Sequence, residues 1–565
     1  VGATSFTRRT KVFCFFFSKK KAFLSFANQS VMMTMDSIDV AEAGALPLEP
    51  LRALLGAAHV ILDADERAFY STDVYRRATV DAVLVLQPGT VEELAEAVRI
   101  CTAHGLAVIP RGGGLSYTGG FLPVRDGCVI LDMRRLDRII EVNADDMYVT
   151  VECGVTWKSL YDTLKPLGLR TPYFGPMSGY ASTVGGALAQ GSIFLGSTQF
   201  GTTSESVLGL AVVLADGTRL DTGSAGAEGA TGPFFRHYGP DLTGIFLNDA
   251  GALGFKARAT LRLIRTPAVV GFVSFTFANH AAQLRAMSEI SRRGLAAECF
   301  GADPYIWGMR LWDDDLARDV KRLAGVVRGG KSLLAGLVAG ARMAWQGRRA
   351  LQDVEYAMNV AVDGNCHAAV ASALAEIRTI ARHGREVAAT VPQAVRGAPF
   401  LPPNDLLGPK GQRWAPSHGI VPHSRAVALV DALKAFFTAR GDIMRAHGIE
   451  WGYVTFAIST SGILLEPMLY WPGVRERYHE RMISPAHLAK LPELPPNPAA
   501  AAAMGQLRLD LSRFWMEQGC AHLQIGKTYR YLESRQPAVR HLLEQIKVCV
   551  DPRGLVNPGS LGFAS

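Results

Sequence analysis

PRGGGLSYTGG, Pro110 to Gly120, arrives straight off the apolar run Leu106 to Ile109, and its reading decides the rest. Five of its eleven residues are glycine. The backbone can therefore adopt conformations closed to other residues, and successive N–H groups can converge on an anion with no Cβ in the way. A pyrophosphate is the anion such a loop suits. The G-x-G-x-x-G fingerprint of a nucleotide-binding turn is absent, because Tyr117 stands where the third glycine would be and no helical pattern follows. Taken alone, the loop also reads as an ordinary surface turn.

Working outward, SGYASTVGGALAQGSIFLG, Ser178 to Gly196, is a second glycine-rich segment, followed by the strand pattern Val207 to Leu214 and an Asp216-Gly217 turn. Two cradles suit a long dinucleotide. In this order, and with the closing segment IKVCVDPRGLVNPGSLGF, Ile546 to Phe563, they resemble the vanillyl-alcohol oxidase and para-cresol methylhydroxylase family over residues 45 to 565. The resemblance implies an α+β chain: a two-lobed FAD-binding domain with a ferredoxin-like α+β cap. It also implies cofactor contacts from Pro110, Arg111, Gly112, Gly113, Gly114, Leu115, Ser116 and Gly119 in the first loop. Met177, Ser178, Ser182, Thr183, Gly185, Gly186, Gly191 and Gly201 would serve in the second, and Asn557 in the tail.

The chain has 565 residues, enough for two or three domains, with 48% hydrophobic and 19% charged residues, the balance of a folded protein. Net charge is +8. Part of the excess lies in Arg8, Arg9, Lys11, Lys19, Lys20 and Lys21, which meet no acid before Asp36. No basic run is interleaved with aromatics elsewhere, which argues against a nucleic-acid partner. Eight cysteines without C-x-x-C spacing argue against a zinc site and a disulfide framework and favour a reducing, cytoplasmic compartment. KVFCFFFSKKKAFLSF, Lys11 to Phe26, is too interrupted by lysine to span a membrane. Residues 1–40 read as a disordered extension upstream of a true start near Met32, Met33 or Met35, with a targeting segment as the second option and a membrane-surface anchor as the third.

The FAD-binding domain is expected over residues 41–265. Ala82 to Leu86 reads as a strand, and Thr90 with Glu93 forms a capping box for an amphipathic helix, Val91 to His104. Strands at Val129 to Leu131 and Tyr148 to Glu152 and a helix from Thr156 ending at Gly168 follow. Composition changes at Thr266-Pro267. The cap, 266–498, carries strand patterns at Phe272 to Phe277, Tyr356 to Val362, Tyr453 to Ile458 and Leu464 to Tyr470, fitting a split sheet with helices on one face. Residues 499–565 read as helical, and the resemblance implies that they return to the first domain.

Chemistry is expected around HLQIGKTYRY, His522 to Tyr531. In phenol-oxidising members of the family the pair matching Tyr529 and Arg530 grips the phenol oxygen, and Tyr117 matches a third member of that site. The chemistry agrees: a phenol titrates at about pH 10, and a fixed guanidinium with a hydroxyl donor would lower that by roughly one to three units, strengthening electron push from the ring. A surface ion pair beside a packed tyrosine is the bland alternative. Where the family's phenol oxidases carry an acid facing the flavin, this chain has Thr202, so Glu205 would have to reach in or the reaction proceed without it. Leu115 stands at a position where related loops carry a flavin-linking histidine, and Ser459 to Gly462 offers no linking residue in the cap, so non-covalent FAD is expected.

VDGNCH, Val362 to His367, echoes a metal-site motif of D-2-hydroxy acid dehydrogenases. An Asp-Gly turn with Asn365 as helix N-cap explains it without a metal, and His418, His423 and His522 are too scattered to complete a site. WAPSHGIVPHS, Trp414 to Ser424, matches a cavity wall of the family; with Tyr453 and Phe456, Trp414 would suit a flat ring. The leading expectation is hydride transfer from a small aromatic, para-substituted phenolic alcohol or alkyl substrate to FAD, with oxygen or a redox protein as acceptor. A homo-oligomer is allowed. The alternative is a D-2-hydroxy acid dehydrogenase in which Arg530 pairs a carboxylate and Lys527 assists; a non-catalytic binding protein on the same fold comes third.

Overall fold

The computed structural model describes residues 46–310 and 356–564. The N-terminal expectation therefore lies outside the described residues, as does the part of the cap between Arg310 and Tyr356.

The first loop is delivered by a four-stranded sheet with the order 60–61, 84–86, 128–132, 107–111. The last three strands run parallel, with Val108 opposite Val129 and Leu84 opposite Val129 on the other side. These short runs are apolar up to their C-terminal ends, where Arg111 and Asp132 stand, because both faces are buried. Helix Val91–Ala103 starts where the sequence places it: Thr90 accepts from Glu93 N at 3.0 Å. The Glu93 carboxylate reaches back one residue further than a capping box requires, to Gly89 N at 2.7 Å. The helix beginning after Thr156 ends in a 3-10 turn, with Gly168 left-handed at φ 66°.

An antiparallel five-stranded sheet, order 139–143, 148–152, 255–262, 207–213, 219–221, supports the second loop. After Thr266 the chain enters an eight-stranded antiparallel sheet, order 385–387, 269–277, 356–364, 298–302, 450–458, 462–471, 413–416, with 419–422 also paired to 462–471. The four strands read from sequence are present. The segments 298–302, 385–387, 413–416 and 419–422 are strands that their patterns do not announce.

Period-two alternation divides the cap sheet. One face, with Val273, Cys299, Val360, Ala457 and Leu465, packs under helices His280–Arg292, His367–Ile380 and Ala426–Thr438. The other presents Phe300, Ala302, Val454, Phe456, Leu464 and Glu466, in register as Phe300–Phe456, Phe456–Leu464 and Val454–Glu466. Phe456, Glu466, Met468 and Trp414 on this inner face are only half-buried although they sit in the body of the sheet. The tail closes the structure by laying Val556 beside Val108 of the first sheet.

Candidate active site

The two glycine loops touch each other. A Cβ on Gly113 would land on the Ala181 carbonyl oxygen, and one on Gly112 would land on the Thr183 hydroxyl. Glycine is needed there because two backbones meet, and again at Gly114 and Gly119, where φ is 76° and 68°. Four distant parts of the chain hold the first loop in shape. Asp73, fully buried, accepts from Gly119 N at 2.8 Å; Tyr478 donates to Gly114 O at 2.8 Å; Arg508 donates to Tyr117 O at 2.8 Å; Asn557 donates to Gly120 O at 2.8 Å. Asn557 also takes Lys527 Nζ on its side-chain oxygen at 2.8 Å. Lys527 thus ties the tail to the loop and does not reach into the substrate side.

In the second loop Thr183 caps helix Val184–Gln190 by accepting from Gly186 N at 3.2 Å. Gly185 packs on Cys153, Gly191 and Gly201 take φ of 67° and 82°, Ser178 is half-buried and Met177 is exposed. These residues carry an unmet polar demand of the kind FAD would satisfy. Arg111 Nε and Nη2, Ser182 Oγ, Gln190 Oε1 and Thr203 Oγ1 are buried without a partner, and all lie in or beside the two loops. Such atoms are costly unless a ligand satisfies them. The Arg111 guanidinium is boxed by Phe69, Tyr70 and Phe121 at 4.8 to 5.1 Å from the ring centres, leaving a cation without a directly paired carboxylate beneath the loop. Glycine-lined approach, a buried cation and orphan donors fit a polyanionic dinucleotide.

On the substrate side the structure brings together residues far apart in sequence. Tyr117 donates its hydroxyl to Glu466 of the cap sheet at 3.0 Å. Among the described residues no cation pairs with Glu466, and burial pushes its carboxyl up to about 7, only partly offset by the tyrosine bond. Burial likewise raises the Tyr117 hydroxyl well above its ordinary value and Tyr529 to about 12, so both stay neutral hydrogen-bonding groups. Tyr529 OH accepts from His418 N at 2.7 Å and stacks on His522 with ring centres 4.1 Å apart. His522 Nδ1 faces the His418 carbonyl at 2.9 Å; a carbonyl can only accept, so Nδ1 carries the proton and Nε2 a lone pair. Burial holds His418 down to about 3 and His522 to about 4, keeping both neutral. Arg508, 6% exposed, donates to Pro416 O and Tyr117 O, both at 2.8 Å.

Three expectations are corrected here. Arg530 does not join Tyr529: it turns outward and pairs with Glu533 at 2.8 Å, with about a third of its side chain exposed. Adjacent residues in the turn after Ile525 point to opposite sides, so only one of the pair can face inward. Glu205 is exposed and stays out of the cluster, and Thr202 is half-buried nearby in sequence without a capping bond. Asn365 is not the N-cap: helix His367–Ile380 starts after Cys366, whose side chain makes no cap bond. The Asp363 carboxylate of the same motif is taken by Arg170 at 2.6 Å and Arg396 at 2.9 Å, and His367 is exposed.

Glu466 was legible as the lone acid in the apolar strand GILLEPMLYW. Arg508, inside helix Pro498–Glu517, carries no motif and could be found only by folding the chain. A groove of about 530 Å³ between the helices 280–292 and 367–380, lined in part by Arg285, Glu289 and His383, lies on the helical side of the cap and is remote from this cluster.

Residues 82–223 match the family described as FAD binding domain. The chain therefore carries an FAD-binding domain over these residues. Para-cresol methylhydroxylase with substrate bound superposes with a TM-score of 0.65 at 19% identity, covering 92% of this chain and 96% of that one. Alkyldihydroxyacetonephosphate synthase gives 0.62 at 16% identity, covering 90% and 85%. In sequence, the mitochondrial D-lactate dehydrogenase (cytochrome) of Kluyveromyces lactis is 31% identical over 218 residues, 37% of this chain and 36% of that protein's length. The fold is thus that of FAD-binding oxidoreductases, and the relatives differ in substrate.

Proposed function

We propose that this protein is an FAD-dependent oxidoreductase that oxidises a small aromatic alcohol or phenol, with Glu466 as the base. The carrying observation is the Tyr117–Glu466 bond, which joins the first cofactor loop to the inner face of the cap beside the neutral hydroxyl of Tyr529. Bound FAD, held by the two glycine loops, supplies the hydride acceptor. The chain's own residues handle the proton and the ring. Glu466, as carboxylate, takes the proton leaving the substrate oxygen, a role Thr202 cannot fill. Tyr117 orients that carboxylate, and Phe456, Leu464 and Trp414 offer a flat apolar wall that excludes water. Among the described residues of the cluster both cations are engaged: Arg508 with two carbonyls, Lys527 with Leu122 O at 2.6 Å and Asn557. That favours a substrate without a carboxylate.

A second reading, oxidation of a D-2-hydroxy acid, is favoured by the sequence match to a D-lactate dehydrogenase. It would require Arg508 to release a carbonyl to pair with the acid. Mixing the flavin-loaded protein anaerobically with benzylic alcohols and para-substituted phenols, and separately with D-lactate and glycolate, decides between them by which set bleaches the flavin. Bleaching by hydroxy acids alone sinks the first reading. Acid precipitation is expected to release yellow flavin into solution, because Leu115 and the 459–462 turn offer no linking side chain.

A further inference from the structure

Phe194 has a conformation that a phenylalanine adopts only under constraint. Its φ is 153°, inside the region that favours glycine, a strain that surrounding structure must over-determine. The constraints are visible. Phe194 N donates to Ser197 Oγ at 2.9 Å and Ser197 N to Phe194 O at 3.1 Å, closing a tight loop in the second cradle. Gly196 N donates to the buried Glu298 carboxylate at 2.6 Å. Glu298 is held in turn by Arg396 at 2.7 Å, and Arg396 by Asp363, which takes Arg170. This buried chain of two arginines and two acids clamps the loop to the cap strand 298–302. The clamp turns the Phe194 ring into the cap: it meets Phe300 edge-on at 5.5 Å and Phe456 at 5.7 Å, while Phe300 and Phe456 stack across the strands at 6.3 Å. Phe456 shares its face with Glu466, which lies two residues along the register, a diagonal neighbour about 7 Å away.

We propose that Phe194 is the specificity-determining residue of the site: a ring carried by a cofactor loop that closes the substrate space against Phe456 and sets the size of aromatic ring admitted beside Glu466. The inference rests on the aromatic-substrate reading above. Glu298 is the positioning residue that holds the ring there.

The test uses the flavin-loaded full chain and two probes, benzyl alcohol and 2-naphthalenemethanol, with dissociation constants read from perturbation of the flavin absorption spectrum. Phe194→Ala and Phe194→Gly should each shift the affinity ratio toward the naphthyl probe by about tenfold while keeping flavin content. Phe194→Gly should melt no lower than Phe194→Ala, since glycine accepts this φ without strain. A ratio unchanged in both variants, with the probes still binding, overturns this inference and leaves the aromatic reading standing. Loss of flavin in both variants also overturns it, by making the ring part of the cofactor cradle. Failure of the unmodified protein to bind either probe overturns both.

Discussion

The two glycine loops do similar work and are held by different forces. The first, 110–120, is tied by single bonds from four parts of the chain, and its one buried acid, Asp73, accepts from Gly119 N, Tyr75 N and Arg76 N, each at 2.8 Å. The second is gripped by the cap. Thr198 Oγ1 donates to Ala457 O at 3.0 Å and accepts from Cys299 N at 2.8 Å, Ser459 N donates to Ser197 O at 3.0 Å, and the Glu298 network holds Gly196. The first loop is therefore a cradle set by scattered ties that meets the cap sheet at Tyr117–Glu466, whereas the second is gripped by several cap strands at once. Disturbing the first should cost cofactor affinity; disturbing the second should cost substrate selection.

The largest expected effect is at Asp73. Asp73→Ala leaves three backbone N–H groups, the buried one of Gly119 among them, without their acceptor and should cost about 3 kcal/mol, read by chemical denaturation, together with loss of flavin on gel filtration. Retention of flavin at full strength would break the contrast between the loops. Next, Glu298→Gln keeps an acceptor for Gly196 N but leaves Arg396 short of a counter-charge, and should cost about 2 to 3 kcal/mol. Flavin should remain bound while KM for aromatic substrates rises. A variant that loses flavin as readily as the Asp73 variant would show that the second loop also serves mainly the cofactor.

Glu466→Gln tests the junction between the loops and the cap. In the unmodified protein the base is the carboxylate, so turnover should climb as pH rises through about 7, and the variant should lose that limb with most of its activity. The stability sign runs the other way. A folded-state pKa raised above the unfolded value gives stability that is present below the ordinary carboxyl range and lost as pH rises through about 7. The variant should show no such decline, and thermal melts across that window measure it. The smallest effect is at Arg530, whose exposed pair with Glu533 is worth at most about 1 kcal/mol. Arg530→Ala should leave kcat/KM within about twofold. A large loss would return Arg530 to the site and reverse the placement seen here.

Much of this was legible in the chain and some of it was not, for reasons visible in particular residues. The loop glycines, Thr90 at its helix start, and the strands read at Phe272 to Phe277 and Tyr453 to Ile458 follow from local rules, because φ preference, capping and alternation are decided within a few residues. The strands 413–416 and 419–422 were hidden because they are four residues each and are made strands by their partner 462–471. Tyr529 and Arg530, neighbours in sequence, looked equivalent. The turn that carries them buries one and exposes the other, and nothing within the dipeptide says which.

By itself the sequence determined the α+β class and the two glycine-rich loops, while the returning tail and the tyrosines came only with the family resemblance. Tertiary structure alone decided that Glu466 would meet Tyr117 across 349 positions, that Arg508 would bond the Tyr117 carbonyl while Arg530 turned outward, and that Asp363 would serve an ion-pair clamp. The physical reason is range. Backbone conformation is set by neighbours in the chain, but the protonation of a buried acid, the partner of a buried cation and the direction a ring is forced to face depend on burial and on groups that only the fold brings within a few ångströms.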